Sequence, residues 1–180
     1  MKRCSWCNLN NSLYVDYHDN EWGVLRTDDK YLFEMLLLES FQAGLSWECV
    51  LNKREAFRES FDNFDYKKIM KYNEKNVDRL MDCKGIIRNR RKIEASIKNA
   101  KIFSDIVNEY DCFYNYLCVF SNGNIIYETD KITNRLSDIV SKDLFNRGMR
   151  FVGSVIIYSF LQAVGIINSH EYDCFKWRKK

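Results

Sequence analysis

The sequence predicts an all-α protein, and two observations support that prediction. There is no proline in the 180 residues and only seven glycines, so few positions force a helix to end. The stretches 28–43 and 151–164 are apolar on nearly every face, which is typical of helices buried on all sides. An apolar content of 46% is enough to form one core, and we expect residues 1–180 to be a single domain.

The first third of the chain is expected to hold an irregular segment followed by two helices. Residues 1–27 lack helical periodicity but are rich in aromatic side chains, which predicts the irregular segment. Asp28 is the expected N-cap of the first buried helix, which ends near Gly44. Ser46 can then cap a second helix over 47–60.

The rest of the chain is expected to be helical around two interruptions. Lys84 and Gly85 break the pattern, and helical spacing resumes over 88–110. The stretch 121–134 is the least helical, with a short strand expected at 124–128. The remaining expected caps and stops are Asp65 and Asn73 for two short helices, Asp111 for the helix 112–120, Ser137 for 138–147 with Gly148 at its end, and Gly165 after the second buried helix.

The composition disfavours several classes of protein. No apolar run approaches the roughly 18 residues of a bilayer span, so we expect no membrane segment. Seven cysteines, an odd number, and the polar start MKRCSWCNLNNS predict reduced thiols in a cytoplasmic setting. The formal charge of +3 is too small to identify a partner. The absence of GxxxxGKS, GxxxxGKT, GxGxxG, HExxH and GxSxG motifs disfavours ATPases, dinucleotide-dependent enzymes and the hydrolases that use those motifs.

The two histidines of the chain each lie near a terminus with a cysteine in reach. Thirteen residues separate Cys4 from His18, and His170 and Cys174 are four apart, as on one face of a helical turn. Thiolate and imidazole are preferred ligands of a structural Zn²⁺, so these four residues are a candidate zinc site. Two alternatives stay open: the four are unrelated polar and core residues, or Cys7 is a ligand, because it forms a CxxC pair with Cys4.

A basic segment, KGIIRNRRK at residues 84–92, contains no acidic residue. A glycine turn followed by a helix N-terminus exposes backbone N–H groups, and neighbouring Arg and Lys add the charge that phosphate oxygens attract. This pattern predicts a helix, a hairpin and a second helix that contact a nucleic-acid backbone, although a solvated basic helix face explains it as well. The candidate contacts are Gly85, Ile86, Ile87, Arg88, Arg90 and Lys92.

Glu39 is the one acidic residue among apolar neighbours at the end of MLLLE. A carboxylate there needs a partner or faces a cavity, and its pKa rises if it is left dry. Gln42 lies on the same helical face and Trp47 follows the Gly44 break, so the three side chains could line one pocket. The alternative is a carboxylate in a salt bridge or helix cap, with the nearby aromatic residues in the core.

Four segments of the chain together resemble the type I 3-methyladenine DNA glycosylases. The resemblance runs nearly from end to end, and motifs of this length in this order are highly specific. It implies an all-helical helix-hairpin-helix glycosylase fold whose N- and C-terminal segments are joined by a structural zinc site. The segments are YHDNEWG (17–23), LFEMLLLESFQAGLSW (32–47), GIIRNRRKI (85–93) and RGMRFVGSVIIYSFLQAVGIINSH (147–170).

The resemblance also implies roles for the candidate residues. Glu39 becomes the carboxylate of the base pocket and Trp47 its stacking platform, while the GIIRNR turn becomes the hairpin that binds the DNA backbone. The metal ligands become Cys4, His18, His170 and Cys174, so that Cys7 drops out. The neighbouring pocket walls become Tyr17 and Trp22, with Trp6, Tyr14 and Gln42 beside them.

Some positions depart from the pattern of the family. Cys118 stands where a tryptophan is expected, and the loop from Ser121 to Arg135 matches poorly. The hairpin lacks the Leu-Pro-Gly pattern of the wider superfamily. There is also no aspartate or lysine after the hairpin placed like the usual catalytic pair of that superfamily, which agrees with type I enzymes.

The activity implied by this resemblance is repair of alkylated double-stranded DNA. Such an enzyme flips N3-methylated adenine out of the duplex and hydrolyses its glycosidic bond, which leaves an abasic site. Because no lysine is placed to form a Schiff base, we expect hydrolysis without strand cleavage, by a monomer. The competing hypothesis is a non-enzymatic, zinc-stabilised DNA-binding module, which explains the basic hairpin and the Cys/His set but not Glu39, Gln42 and the aromatic cluster.

Overall fold

The computed structural model describes residues 1–177. Over that range the chain forms ten α-helices, a 3-10 turn and two short strands, so the all-α prediction is confirmed in its main feature. No helix in the described range is long and apolar enough to cross a membrane. The helices are α1 (Ser12–Asn20), α2 (Asp29–Gln42), α3 (Trp47–Leu51), α4 (Arg54–Ser60), α5 (Tyr66–Ile69), α6 (Glu74–Asp82), α7 (Arg90–Tyr110), α8 (Phe113–Ser121), α9 (Arg135–Asn146) and α10 (Ser154–Ala163); the 3-10 turn is Asp62–Phe64, and the strands are β1 (Ile126–Tyr127) and β2 (Ile167–Asn168).

Helix α2 lies at the centre of the molecule, as its apolar sequence predicts. Its ten consecutive residues 32–41 are all buried, and it packs against α3, α7, α8 and α10. The Asp28 side chain accepts a hydrogen bond from the Tyr31 backbone N–H, which confirms the expected N-cap. Because α2 is enclosed on every side, a polar side chain on it must find a partner or an internal cavity.

The N-terminal segment is more ordered than the sequence suggests, since α1 occupies residues 12–20. The expectation of an irregular segment is wrong there. Asn11 caps the helix by accepting hydrogen bonds from the N–H groups of Leu13 and Tyr14. Only Tyr17 and His18 of the helix are buried, so the sequence contains no apolar stripe that would reveal it.

The helix expected over 47–60 is interrupted. Ser46 caps α3 by accepting from the Cys49 N–H, as predicted, but the chain leaves helical geometry at Lys53 and restarts as α4 at Arg54. Arg54 is buried and its guanidinium donates to the carboxylates of Glu34 and Glu21. These two partners lie on α2 and beside α1, so the interruption lets Arg54 tie three elements together.

Of the remaining helix caps, two are as predicted and the others are displaced by one to three residues. Asp65 and Asn73 cap α5 and α6 as predicted. The Asn89 side chain caps α7, which begins at 90 rather than 88. Cys112, rather than Asp111, caps α8, and Asn134, rather than Ser137, caps α9.

The expected strand at 124–128 is confirmed as β1, and its partner is β2. The two strands run parallel, with Ile126 opposite Ile167 and Tyr127 opposite Asn168. Gly165 follows α10 and has a φ of +77°, a conformation that favours glycine. A Cβ added at Gly165 would lie 2.3 Å from the backbone nitrogen of Leu25, so the close approach of these two segments also requires glycine. The pairing brings the chain after β1 beside the chain after β2.

Candidate functional site

A cavity of about 320 Å³ lies between the N-terminal segment, α2, α3 and α10. Every residue that the sequence analysis placed in the pocket lines this cavity. They come from three separate stretches of the chain, so only the tertiary fold brings them together. They are Trp6, Tyr14, Tyr17, Trp22, Glu39, Gln42 and Trp47.

Glu39 is the charged group of α2 that faces this cavity. Its side chain is 3% exposed, and its Oε2 atom has no hydrogen-bond partner among the described residues. Burial raises the pKa of the carboxyl group well above its ordinary value. A ligand that brings N–H donors or a positive charge would compensate this burial and favour the carboxylate.

Aromatic rings form the walls around Glu39. The ring centroids of Tyr17 and Trp47 are 5.3 Å apart, while those of Trp6 and Trp22 are 4.8 Å apart in an edge-to-face arrangement. The Nε1 atom of Trp47 is buried and, like the Glu39 carboxyl oxygen, has no partner within residues 1–177. The cavity therefore offers flat faces for a planar ring and polar groups for its edge.

Sequence reasoning missed the opposite wall of the cavity. Ser159 and Gln162 are polar residues three apart on the otherwise apolar α10, a pattern that could have indicated them. The other missed residues of the cavity lining follow β1 and β2 in the chain, and no local signal in the sequence predicts that these two strands pair. These missed residues are Thr129, Asp130 and Lys131 after β1, and Ser169 and Glu171 after β2.

The four predicted metal ligands, Cys4, His18, His170 and Cys174, are buried and meet at one place. Their ligand atoms all lie within 4.8 Å of one another, so this cluster could bind a metal ion. The His170 Nδ1 atom is 3.4 Å from the Cys4 sulfur and 3.6 Å from the Cys174 sulfur. Tetrahedral zinc with ordinary bond lengths separates sulfur and nitrogen ligands by roughly 3.5 Å, so the donor set fits that ion.

Hydrogen bonds orient both imidazoles of the cluster. His18 Nδ1 is 2.8 Å from Asp19, and Arg3 beside Asp19 lowers the pKa of that carboxyl to about 2. His170 Nε2 bonds the Trp22 carbonyl oxygen across 3.1 Å. Each ring therefore keeps its other nitrogen directed at the cluster, and burial lowers the pKa of His170 to about 4, which favours the neutral, ligating form.

Cys7 lies outside the cluster. Its thiol is buried and points toward the carbonyl oxygen of Tyr14, 3.9 Å away. Over the described residues the cluster contains only the two cysteines and two histidines named above. The rival CxxC pairing therefore has no support from the geometry.

The segment predicted to form the hairpin contains a turn at residues 84–86 and connects α6 to α7. Gly85 packs so closely that an added Cβ would be 2.8 Å from the Cβ of Ala56, Ile86 is buried, and Ile87 is half-buried. Arg88, which follows the turn at 84–86, is exposed. This arrangement anchors the hairpin through its apolar residues and leaves its backbone turn at the surface.

Two of the candidate basic contacts are engaged within the protein. Arg90 forms ion pairs with Glu74 and Asp78 of α6. Lys92 is 7% exposed, and its ammonium group donates to the carbonyl oxygens of Phe41 (2.9 Å) and Ala43 (3.0 Å) at the end of α2. Lys92 therefore points inward, away from any backbone that the hairpin tip could contact.

The chain is similar to proteins of known activity along its whole length. A family model for methyladenine glycosylase matches residues 6–177. DNA-3-methyladenine glycosylase 1 of Escherichia coli (strain K12) is 44% identical over 181 residues, which covers 97% of this chain and 96% of that protein.

Two solved structures share the fold. The structure that describes 3-methyladenine recognition by 3-methyladenine DNA glycosylase I from Staphylococcus aureus has a TM-score of 0.93 at 33% identity and covers 100% of this chain and 98% of that chain. A single-residue variant of 3-methyladenine DNA glycosylase I in complex with 3-methyladenine has a TM-score of 0.94 at 33% identity, over 99% of both chains. With this fold and a family match that spans nearly every residue, the chain belongs to the methyladenine glycosylase family.

Proposed function

We propose that this protein is a DNA-3-methyladenine glycosylase, a repair enzyme that excises N3-methylated adenine from alkylated duplex DNA. The observation that carries the proposal is the buried Glu39 carboxyl, which lacks a partner within the described residues and faces a cavity walled by aromatic rings. The family match and the activity of the similar E. coli enzyme support it.

The cavity suits the chemistry of the damaged base. Methylation at N3 leaves adenine cationic, and a positive planar ring is attracted both to a carboxylate and to the face of an indole. Glu39 would accept hydrogen bonds from the amino edge of the base, while Trp47 would stack on the ring. Because a damaged base pairs poorly, flipping it into the cavity costs less than flipping a normal one.

The reaction needs little acid catalysis. The C1′–N9 bond breaks with its electron pair moving into the cationic ring, so the base leaves as neutral 3-methyladenine. Water adds at C1′ and loses a proton to solvent, which leaves an abasic site. A charged Glu39 favours the positive charge of the bound base and the charge that develops on the sugar.

Lys131 is the lysine that lines the cavity, and it was not anticipated from the sequence. Its ammonium group forms an ion pair with Glu128 at 2.6 Å. A lysine held in an ion pair is not positioned as a free nucleophile for a sugar carbon. Simple hydrolysis, with no strand cleavage, is therefore the proposed reaction.

Zn²⁺ is the proposed occupant of the Cys/His cluster. Two thiolates and two neutral imidazoles are the usual ligands of a closed structural zinc site, and the distances between the donor atoms support a tetrahedral arrangement. Bound there, the ion would supply a cross-link between the first 18 residues and the C-terminal segment. Its role is structural, because all four positions are protein ligands.

The segment α6, hairpin, α7 is the proposed helix-hairpin-helix contact with the DNA backbone. The backbone N–H groups of residues 85–87 and the exposed Arg88 would bind phosphate oxygens. Arg90 would contribute after exchanging its carboxylate partners, whereas Lys92 holds the end of α2 instead. We also propose that the protein acts as a monomer, since one chain supplies the cavity, the cluster and the hairpin.

Release of free base tests the enzyme against the DNA-binding module. Purified protein is incubated with methylated duplex DNA, and the released bases are separated and identified. Free 3-methyladenine together with abasic sites is the expected result. DNA binding without base release would reject the enzyme and favour the module.

A further inference from the structure

A second concavity, a groove of about 590 Å³, lies between α7 and the connection from α9 to α10. Four of its residues, Arg91, Glu94, Ala95 and Lys98, share one face of α7. The remaining two, Arg150 and Phe151, belong to the connection between α9 and α10. None of them belongs to the cavity around Glu39, the Cys/His cluster or the hairpin turn.

The groove is positively charged. Arg91, Lys98 and Arg150 are exposed, and none forms an ion pair with a carboxylate of residues 1–177. The one acidic residue, Glu94, lies 3.8 Å from Arg90 on the same helix, which offsets its charge. Three cations without acidic partners along one groove are typical of a surface that binds an extended polyanion.

The groove adjoins both the hairpin and the end of α2 that leads into the base cavity. Arg91 lies in the first turn of α7, directly after the hairpin. The carbonyl oxygen of Phe151 accepts a hydrogen bond from Ser40 Oγ at 3.0 Å, two residues before Gln42 of the cavity lining. The groove is therefore continuous in sequence with the hairpin and is joined by a hydrogen bond to the part of α2 that lines the cavity.

The backbone of the connection that carries Arg150 is held in place by the Asn99 side chain of α7. The Asn99 side chain accepts from the Arg150 N–H at 2.9 Å and donates to the Arg150 carbonyl oxygen at 2.8 Å. Phe151, with a φ of +56°, adopts a conformation that costs free energy for a bulky residue. The segment is thus preorganised by Asn99. The Arg150 guanidinium also donates to the carbonyl oxygen of Met149 at 3.0 Å, so the variant that keeps the three charges controls for its contribution to the local backbone.

We propose that this groove is a second binding surface for the phosphodiester backbone of duplex DNA, formed by Arg91, Lys98 and Arg150. This inference rests on the proposed glycosylase function. The groove adds sequence-independent affinity and holds the duplex along α7. Its cations contact phosphates, so they strengthen binding to damaged and undamaged duplexes equally.

The test removes the three charges together, as Arg91→Ala, Lys98→Ala and Arg150→Ala. The matched control removes three exposed lysines, Lys30 of α2 and Lys67 and Lys68 of α5. Lys30 lies in the first turn of α2, roughly 18 Å along that helix from Gln42, and Lys67 is close to the neighbouring Asp29. Affinity for an undamaged duplex and for a duplex with an abasic-site analogue is measured across salt concentrations. Affinity for free 3-methyladenine is measured in parallel.

The groove variant is expected to bind both duplexes more weakly and to lower the salt slope by about 0.9 for each phosphate that it no longer neutralises, whereas the control stays close to wild type. A variant with the three charges kept, Arg91→Lys, Lys98→Arg and Arg150→Lys, should retain duplex affinity. Wild-type duplex affinity and salt slope in the alanine variant would overturn the proposal. An equal loss of duplex affinity in the lysine control would overturn it too, as would weaker binding of free 3-methyladenine by the alanine variant. Failure of the glycosylase function is seen separately, because wild-type protein would then release no base.

Discussion

The His170 imidazole donates from Nε2 to the carbonyl oxygen of Trp22, and the two rings meet edge to face at 4.6 Å. A candidate metal ligand is therefore in direct contact with a wall of the base cavity. Trp6 is held similarly, because its ring lies 5.2 Å from that of His18. The Cys/His cluster therefore contacts two walls of the cavity around Glu39.

Metal removal is thus expected to affect base binding as well as stability. Cys174→Ala should lower zinc content from about one ion per chain, lower the melting temperature and weaken binding of free 3-methyladenine, because Trp22 and Trp6 lose their support. Metal analysis, calorimetry and base titration measure the three effects. Cys7→Ala is the control and should keep its zinc. Full zinc occupancy in a Cys4→Ala, His170→Ala double variant would reject the assigned ligands.

Glu39→Gln is expected to cripple excision and leave the fold intact. The amide keeps the size of the side chain but loses the negative charge and replaces one acceptor with a donor. Single-turnover release of 3-methyladenine should fall sharply, while affinity for undamaged duplex stays near that of wild type. Excision at the wild-type rate by the folded variant would show that the carboxylate has no essential role.

The same variant should change how stability depends on pH. The folded state raises the pKa of Glu39, so above the ordinary glutamate pKa the unfolded chain releases a proton that the folded chain keeps. The protonated Glu39 therefore contributes fully to the free energy of unfolding below the ordinary glutamate pKa. As pH rises from there toward the folded-state pKa, that contribution is lost, and the free energy of unfolding falls by up to about 1.4 kcal/mol per pH unit. Glu39→Gln should therefore gain stability relative to wild type with rising pH in urea unfolding. Parallel stability curves would show that the carboxyl ionises normally.

Trp47→Ala should weaken capture of the base more than binding of DNA. Loss of a stacking face costs typically about 1 to 3 kcal/mol per base. Titration of free 3-methyladenine and of undamaged duplex separates the two effects. An equal loss for both would place Trp47 at the DNA backbone rather than beneath the base.

Arg88 of the turn and Arg90 at the start of α7 are expected to differ. Arg88→Ala should lower duplex affinity for every sequence and reduce the salt slope by about 1, because its exposed side chain is the proposed phosphate contact. Arg90→Ala should reduce the slope less, since this side chain already pairs with Glu74 and Asp78. Binding measured from low to moderate salt tests both variants, and identical slopes for Arg88→Ala and wild type would exclude Arg88 as a phosphate contact.

Features of the fold could be predicted from the sequence where the residues that determine them are close together in the chain. Asp28, Ser46, Asp65 and Asn73 cap helices as expected, because a cap depends on residues only two or three positions away. Helix α1 could not be predicted, since it is held by tertiary contacts and has no apolar stripe. The division of α3 from α4 likewise depends on distant partners of Arg54.

The residues of the candidate site likewise include some that the sequence could identify and some that only the tertiary structure reveals. Glu39 could be identified because a carboxylate on an apolar helix conflicts with its surroundings, and the aromatic walls followed from the family resemblance. The inward turn of Lys92 could not be predicted, since its acceptors are carbonyl oxygens some fifty positions away in sequence. Thr129, Asp130 and Lys131 were missed because a strand pairing places them in the cavity lining.

The pairing of β1 with β2 creates an opportunity for redesign. Its cross-strand hydrogen bonds end at Glu128, whose N–H donates to the Asn168 carbonyl oxygen, so residues 129–131 line the cavity without belonging to the ladder. Asp130, with a φ of +62°, is best exchanged for Asn or Gly, whereas its two neighbours have no such backbone restriction. A combinatorial library confined to these three positions would explore which damaged bases the enzyme accepts while leaving the core and the chain termini untouched.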